Sequence, residues 1–173
     1  MDQVWEGAFR PGHYKGVVNV VDRLFRIFSP DHVFFGQKDF QQCRVIEKLI
    51  EKRFPNIRFH QVPTVRESSG LALSSRNIRL SADELKKAEE IPVILAEMAS
   101  MAPHSAPSDI KSYGENVFRH VGFELDYIEI TDQRNLKEIH DWHSPSVILF
   151  AGKLPSVRLI DNWLIPAFPN MSL

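Results

Sequence analysis

At residues 32–42, His-Val-Phe-Phe-Gly-Gln-Lys-Asp-Phe-Gln-Gln, the chain gathers an ammonium, a carboxylate and several amides around one turn. His32 to Phe35 is short and apolar, as suits a buried parallel strand, and Gly36 is expected to break it where the chain turns. Phe40, Cys43, Ile46, Leu49 and Ile50 then recur at near-helical spacing, with Asp39 where an N-cap carboxylate would stand. A helix N-terminus beyond the carboxyl end of a parallel strand offers unpaired N–H groups and a partial positive charge, which is how α/β sheets receive anions. Lys38 adds a full charge. Gln42 lies one turn beyond Asp39 on the same face, and helical side chains lean toward the N-terminus, so its amide reaches the same space. The chemistry on offer is the holding of a phosphate beside a polar substrate group. Taken alone, the same residues also describe a capped helix after a strand with a surface lysine.

The elements that must position this turn read as follows. Glu6 to His13 is dense in turn formers and looks like an internal loop. Val17, Val18, Val20, Val21, Leu24, Phe25, Ile27 and Phe28 predict a helix at 13–28, apolar around much of its circumference and ended by Ser29-Pro30. With a second strand at Ile57 to Val62, residues 13–63 read α-β-α-β. Two parallel strands fall short of an independent sheet, so further strands are expected outside this chain. Pro63 to Leu80 has no periodicity and is rich in hydroxyl and basic groups, as a long functional loop would be. Ser81 and Glu84 form a capping box before a helix in which Pro92 marks a kink or break. A helix at 108–121 with Gly122 as C-cap follows, then strands at Leu125 to Thr131, Ser146 to Ala151 and Val157 to Ile160, the last two joined by a hairpin. The expected organisation is two domains, 1–63 and 64–173: a partial Rossmann-like α/β segment and a small α+β domain with an antiparallel sheet.

Composition narrows the function class. At 173 residues, 43% hydrophobic and 25% charged, the chain can bury a full core. Lys plus Arg number 21 against 22 Asp plus Glu, so no global field favours nucleic acid or an anionic membrane, and any anion site is local. The single Cys43 sits on an apolar helix face, which excludes a disulfide framework and zinc spacing and fits a cytoplasmic setting. No apolar run reaches the length of a spanning helix, and the first residues lack the features of a signal peptide. His140 and His143 have no third ligand nearby in sequence and read as a loop or helix end. Phe118, Phe123, Tyr127 and Trp142 read as core of the small domain. Asn170-Met-Ser would be a glycosylation acceptor only in a secreted chain.

The turn at 34–42, Val-Pro-Thr-Val-Arg-Glu at 62–67 and Gly-Leu-Ala-Leu-Ser-Ser-Arg-Asn at 70–77 together closely resemble the pantoate–β-alanine ligase (pantothenate synthetase) family. Arg10-Pro-Gly-His13 and Arg158-Leu-Ile-Asp-Asn162 match it too, so the resemblance runs through nearly the whole chain. It implies a class I synthetase-like nucleotidyl transferase fold and the ATP- and Mg²⁺-dependent joining of pantoate to β-alanine through a pantoyl adenylate, a step toward coenzyme A. It implies ATP against Gly36, Gln37, Lys38 and Asp39, pantoate against Gln42, adenine near the backbone of Val65, and phosphates near Leu73, Ser74, Ser75 and Arg76. Lys38, Ser74, Ser75 and Arg76 are the catalytic candidates it implies. No Mg²⁺ ligand is identifiable, no nucleic acid or membrane is expected as a partner, and the family implies a homodimer for the full-length enzyme. The family's His-x-Gly-His motif is absent, so the chain resembles the C-terminal part of the enzyme and is expected to be inactive alone. The roles of Arg10, His13, Arg66 and Glu67 stay open, and a non-catalytic lid or interaction module, or a related nucleotidyl transferase, are the alternatives.

Overall fold

The computed structural model describes residues 4–102 and 104–168. The chain divides into two compact units, with the boundary between Thr64 and Val65.

In the first unit, α1 (Glu6–Phe9) and α2 (His13–Phe28) precede β1 (His32–Gly36), a 3₁₀ turn at Gln37–Asp39, α3 (Phe40–Arg53) and β2 (Arg58–Val62). The two strands pair in parallel, His32 opposite Arg58 and Gly36 opposite Val62. The predicted face of α3 is buried in full: Phe40, Cys43, Ile46, Leu49 and Ile50 are at most 6% exposed. Phe25, Val33, Ile46, Leu49 and Ile50 make the small core, with Val17, Val18, Val21, Phe35, Phe54, Ile57 and Phe59 against it. On α2 the rest of the apolar girdle, Val20, Leu24, Ile27 and Phe28, is exposed among the described residues.

Two expectations are corrected here and a third is made more specific. Glu6–Phe9 is a helical turn rather than an open loop, because the buried Gln41 amide accepts from Glu6 N (3.1 Å) and donates to Val4 O (3.0 Å). Gly36 ends β1 where the chain turns, but not through a glycine-only conformation: at φ −70° and ψ 129° it is ordinary extended backbone and the last residue of the strand. Asp39 occupies the N-cap position of α3 but makes no side-chain capping hydrogen bond, because the 3₁₀ turn has already wound the chain ahead of it.

The second unit opens with the long loop and a 3₁₀ turn at Asn77–Arg79, then α4 (Ala82–Met101), α5 (Pro107–Val121), and the antiparallel sheet β3 (Glu124–Asp132), β4 (Ser146–Lys153), β5 (Arg158–Ile165), in that order. The capping box is present: Ser81 Oγ accepts from Glu84 N and Glu84 returns to Ser81 N. Glu84 also accepts from Ser156 N (2.8 Å) and Oγ (2.9 Å), tying the start of α4 to the β4–β5 turn. These bonds, from the Ser81 amide first and then the Ser156 amide, hold its carboxyl down at about 2.

Pro92 does not break α4, which runs on for 20 residues through it. Gly122 ends α5 in the left-handed region at φ 102°, as expected of a C′ glycine. β5 continues to Ile165, five residues past its expected end. Phe118, Phe123 and Trp142 are core, whereas Tyr127 is only half-buried, on a strand irregularity between Leu125 and Tyr127. Phe118 stacks on Phe150 at 4.2 Å and meets Phe123 edge-on at 5.7 Å. Among the described residues no helix is long and apolar enough to cross a membrane. Asn170 and the first three residues lie outside the described residues.

Candidate functional site

In the first unit the site residues stand where the β1–β2 sheet ends. Gly36 and Val62 are register partners, so the Gln37–Asp39 turn and the Pro63-Thr64 exit leave from the same carboxyl edge. Gly36 is exposed, and an added Cβ would meet nothing within 4 Å among the described residues. Neither backbone angle nor crowding demands glycine there, and its absent side chain leaves the strand end open to an incoming group. The Cys43 thiol donates to Gly36 O at 3.3 Å and pins the turn on the first turn of α3. Burial pushes that thiol up to about 11, so it serves as a packed donor and not as a nucleophile. Gln37, Lys38 and Gln42 are half-buried and Asp39 is exposed. Gly36, Gln37, Lys38, Asp39 and Gln42 are thus brought to one strand end and one helix start. Gly12, at φ 79°, begins α2, and His13 is its first residue, its ring 5.1 Å from Tyr14.

In the second unit, residues 65–77 fold back on themselves instead of wandering. Leu73 N donates to Val65 O (2.9 Å) and Glu67 N to Leu71 O (2.8 Å) around an Arg66–Ala72 bridge, with Gly70 at φ 87° in the tip. Leu71 and Ala72 are buried, while Val65 and Leu73 are 63% and 50% exposed, an apolar pair beside one another on the open side. Ser74 to Asn77 is a turn: Asn77 N donates to Ser74 O (3.0 Å) and Arg76 N to Ser74 Oγ (3.2 Å). Ser75 is exposed and Arg76 half-buried, its guanidinium donating to Arg158 O at 3.1 Å. Val65, Leu73, Ser74, Ser75 and Arg76 therefore lie on one folded loop.

Arg66 and Glu67, left open by sequence, each find a partner within the unit. Arg66 pairs with Asp161 and Glu67 Oε1 accepts from Asn77 Nδ2 at 3.1 Å. Sequence reasoning missed Asp161 and Gln41. A signal for Asp161 existed: it alternates with Leu159 on β5, and a carboxylate at an inward strand position calls for a buried cation. Gln41 had none, since its partners belong to a turn that the sequence does not announce. Among the described residues no group of three His, Cys, Asp or Glu side chains could hold a metal ion. His143 N instead donates to Asp141 Oδ1, a local turn.

The family model described as pantoate-beta-alanine ligase matches residues 1–164. Pantothenate synthetase of Bacteroides fragilis is 39% identical over 168 residues, covering 94% of this chain and 58% of its own length. That of Thermus thermophilus is 40% identical over 161 residues, covering 92% and 58%. A crystal structure of pantothenate synthetase from Thermus thermophilus superposes with a TM-score of 0.88 at 39% identity, over 94% of this chain and 59% of that one. Pantoate-beta-alanine ligase from Francisella tularensis, complexed with beta-gamma ATP and beta-alanine, superposes at 0.70 with 30% identity, over 98% and 57%. The chain thus spans under three fifths of the length of these relatives.

Proposed function

The chain belongs to the pantoate–β-alanine ligase family, and on that premise we propose that it serves the ATP-dependent joining of pantoate to β-alanine through a pantoyl adenylate. A pantoate carboxylate oxygen attacks the α-phosphorus of ATP, and the bond to the departing pyrophosphate breaks. The amine of β-alanine then attacks the acyl carbon, and AMP leaves. Support comes from the ATP and β-alanine named in the Francisella tularensis complex. The observation that carries the reading is the open strand end at Gly36, with Lys38 beside it and a helix N-terminus behind it, where no internal need accounts for the glycine.

The proposed roles follow from charge and shape. Lys38 and Arg76 stabilise the negative charge that builds on pyrophosphate, and Ser74, Ser75 and the loop amides hold the phosphates in line. Gly36, Gln37 and Asp39 border the nucleotide, and Gln42 holds pantoate through its amide. The exposed Val65 and Leu73 give adenine an apolar seat, with Val65 backbone beside it. Arg76 holds the Arg158 carbonyl through Nη1 alone, and exchanging that neutral acceptor for a phosphate oxygen adds ionic attraction and a bidentate fit that a carbonyl cannot offer. The second step needs no side-chain nucleophile, only positioning of an uncharged amine against an activated acyl group. The described residues assemble no Mg²⁺ site, so the ion is taken to arrive on the nucleotide and no step is assigned to it. A homodimer is proposed for the full-length enzyme.

The 173 residues contain no His-x-Gly-His segment, so they are proposed to bind nucleotide without completing the ligation. Calorimetric titration of this chain with Mg·ATP tests the reading: saturable binding is expected, with no pantoate-dependent AMP release. No saturable binding would overturn the assignment of Gly36–Asp39 and Leu73–Arg76 to ATP.

A further inference from the structure

Arg66 stands behind the candidate nucleotide loop. Its Nη1 and Nη2 reach Asp161 Oδ2 and Oδ1 at 2.7 and 3.0 Å, a two-pronged fork. The same guanidinium donates to Gly70 O (3.0 Å) and Asn162 O (3.4 Å), and its carbon lies 5.4 Å from the Trp163 ring centroid. Asp161 is fixed in turn, because its side chain is 2% exposed and its Oδ1 also accepts from Asn162 N at 2.8 Å. One planar cation therefore joins the loop tip to a strand of the sheet through partners that leave it little freedom.

Backbone alternation makes this anchoring consequential. Arg66 and Ala72 are bridge partners, so the flanking Val65 and Leu73 turn to the opposite, open side. From the far side Asn77 Nδ2 donates to both Ala72 O and Glu67 Oε1 (3.1 Å each), closing the loop immediately after the Ser74-Ser75-Arg76 turn. Were Arg66 released, the strip 65–73 would keep its own short ladder and the burial of Leu71, but would lose its ionic tie to β5, leaving the direction of its outward face less tightly held.

We propose that Arg66 and Asp161 form a positioning clamp that presents the Val65–Leu73 apolar pair and the Ser74-Ser75-Arg76 turn to the nucleotide. Neither residue touches the nucleotide in this scheme. The clamp rests on the ATP reading given above, and it extends that reading by assigning two residues to the preorganisation of the loop and not to contact.

The test combines amide hydrogen exchange with Mg·ATP titration on the 173-residue chain. Arg66→Met keeps the stem and removes the fork, Arg66→Lys keeps charge without the fork, and Asp161→Asn keeps shape without the charge. Arg66→Met is expected to speed exchange at the Glu67, Gly70 and Leu73 amides and to weaken ATP binding by about tenfold or more, the scale of losing hydrogen bonds to a charged group. Exchange in β4 should not change, and Arg66→Lys should fall between. Phe118→Leu, a core change that lowers the melting temperature, should leave ATP affinity alone, which separates positioning from general loosening. If Asp161→Asn fails to fold, the two Arg66 variants decide. Loop amides as protected in Arg66→Met as in the parent, or loosened amides with unchanged ATP affinity, would overturn the clamp. A parent chain that binds no ATP would instead remove the underlying reading, a result distinguishable because it appears before any substitution is made.

Discussion

Adding one methyl group at Gly152 should destabilise the second unit, although glycine is ordinarily the poorer strand residue. Gly152 is buried in β4 between Leu125 and Leu159. An alanine there would gain roughly 0.5–1 kcal/mol from reduced backbone entropy. Its Cβ, however, would lie 2.9 Å from Phe150 Cζ and 3.2 Å from Phe123 Cδ1. Those rings cannot withdraw, since Phe150 is 1% exposed and already stacked on the fully buried Phe118. Overpacking of this kind costs about 1–3 kcal/mol, so the balance runs from roughly 0 to 2.5 kcal/mol of destabilisation, and a contact under 3.0 Å to a ring that cannot withdraw places it toward the upper end. Gly16, in α2, is the control: nothing lies within 4 Å of an added Cβ, and Gly16→Ala should stabilise by about 1 kcal/mol through helix propensity. Urea unfolding of both variants, read by near-ultraviolet circular dichroism, measures the two signs. If Gly152→Ala raised the unfolding midpoint as Gly16→Ala does, the Phe118–Phe123–Phe150 cluster would be looser than its geometry implies.

Lys38→Ala and Arg76→Ala should each weaken Mg·ATP binding by about tenfold or more, the effect of removing a hydrogen bond to a charged group, with a smaller effect on thermal melting because neither side chain belongs to a hydrophobic core. Wild-type affinity in either variant would refute its phosphate role. Acid titration should expose Glu84: with the folded carboxyl held at about 2 against an ordinary 4.5, it adds stability above pH 4.5 that is lost as pH falls toward 2. Glu84→Gln should therefore flatten that limb of the stability curve, and an unchanged slope would contradict the Ser81 and Ser156 bonds. Asp126 should act in the same direction, since burial raises its carboxyl but hydrogen bonds from Arg158 and Lys153 outweigh this and lower it. Cys43 should resist alkylation at pH 8, because a pKa of about 11 in place of 9.0 leaves about a hundredfold less thiolate; native chain labelled as fast as chain in urea would show the thiol is not packed.

Most of the fold was legible because it is written in local patterns. The apolar period of Phe40 to Ile50, the Ser81–Glu84 box and Gly122 each act within a few residues, and each appears where the sequence puts it. Both strands of the first unit also lie near where they are expected, β1 as a short apolar run and β2, Arg-Phe-His-Gln-Val, by its place between turn formers. The break considered at Pro92 does not occur, because a helix can tolerate a proline if its neighbours hold it. Here Gly70, whose added Cβ would lie 3.3 Å from Pro92 Cγ, leaves the ring just enough room. That contact joins residues on different elements, and no sequence window reveals it. Likewise Lys38, Gln42 and the 73–76 turn could be picked out by residue type and resemblance; the strand pattern around Asp161 signals a carboxylate in need of a cation, but not that the cation is Arg66. Asp161 lies 95 residues away in sequence, and only folding of the antiparallel sheet brings its carboxylate under the loop. Short-range hydrogen bonding and side-chain period are properties of the sequence itself. Pairing between distant charges exists only once tertiary packing has removed water from around them.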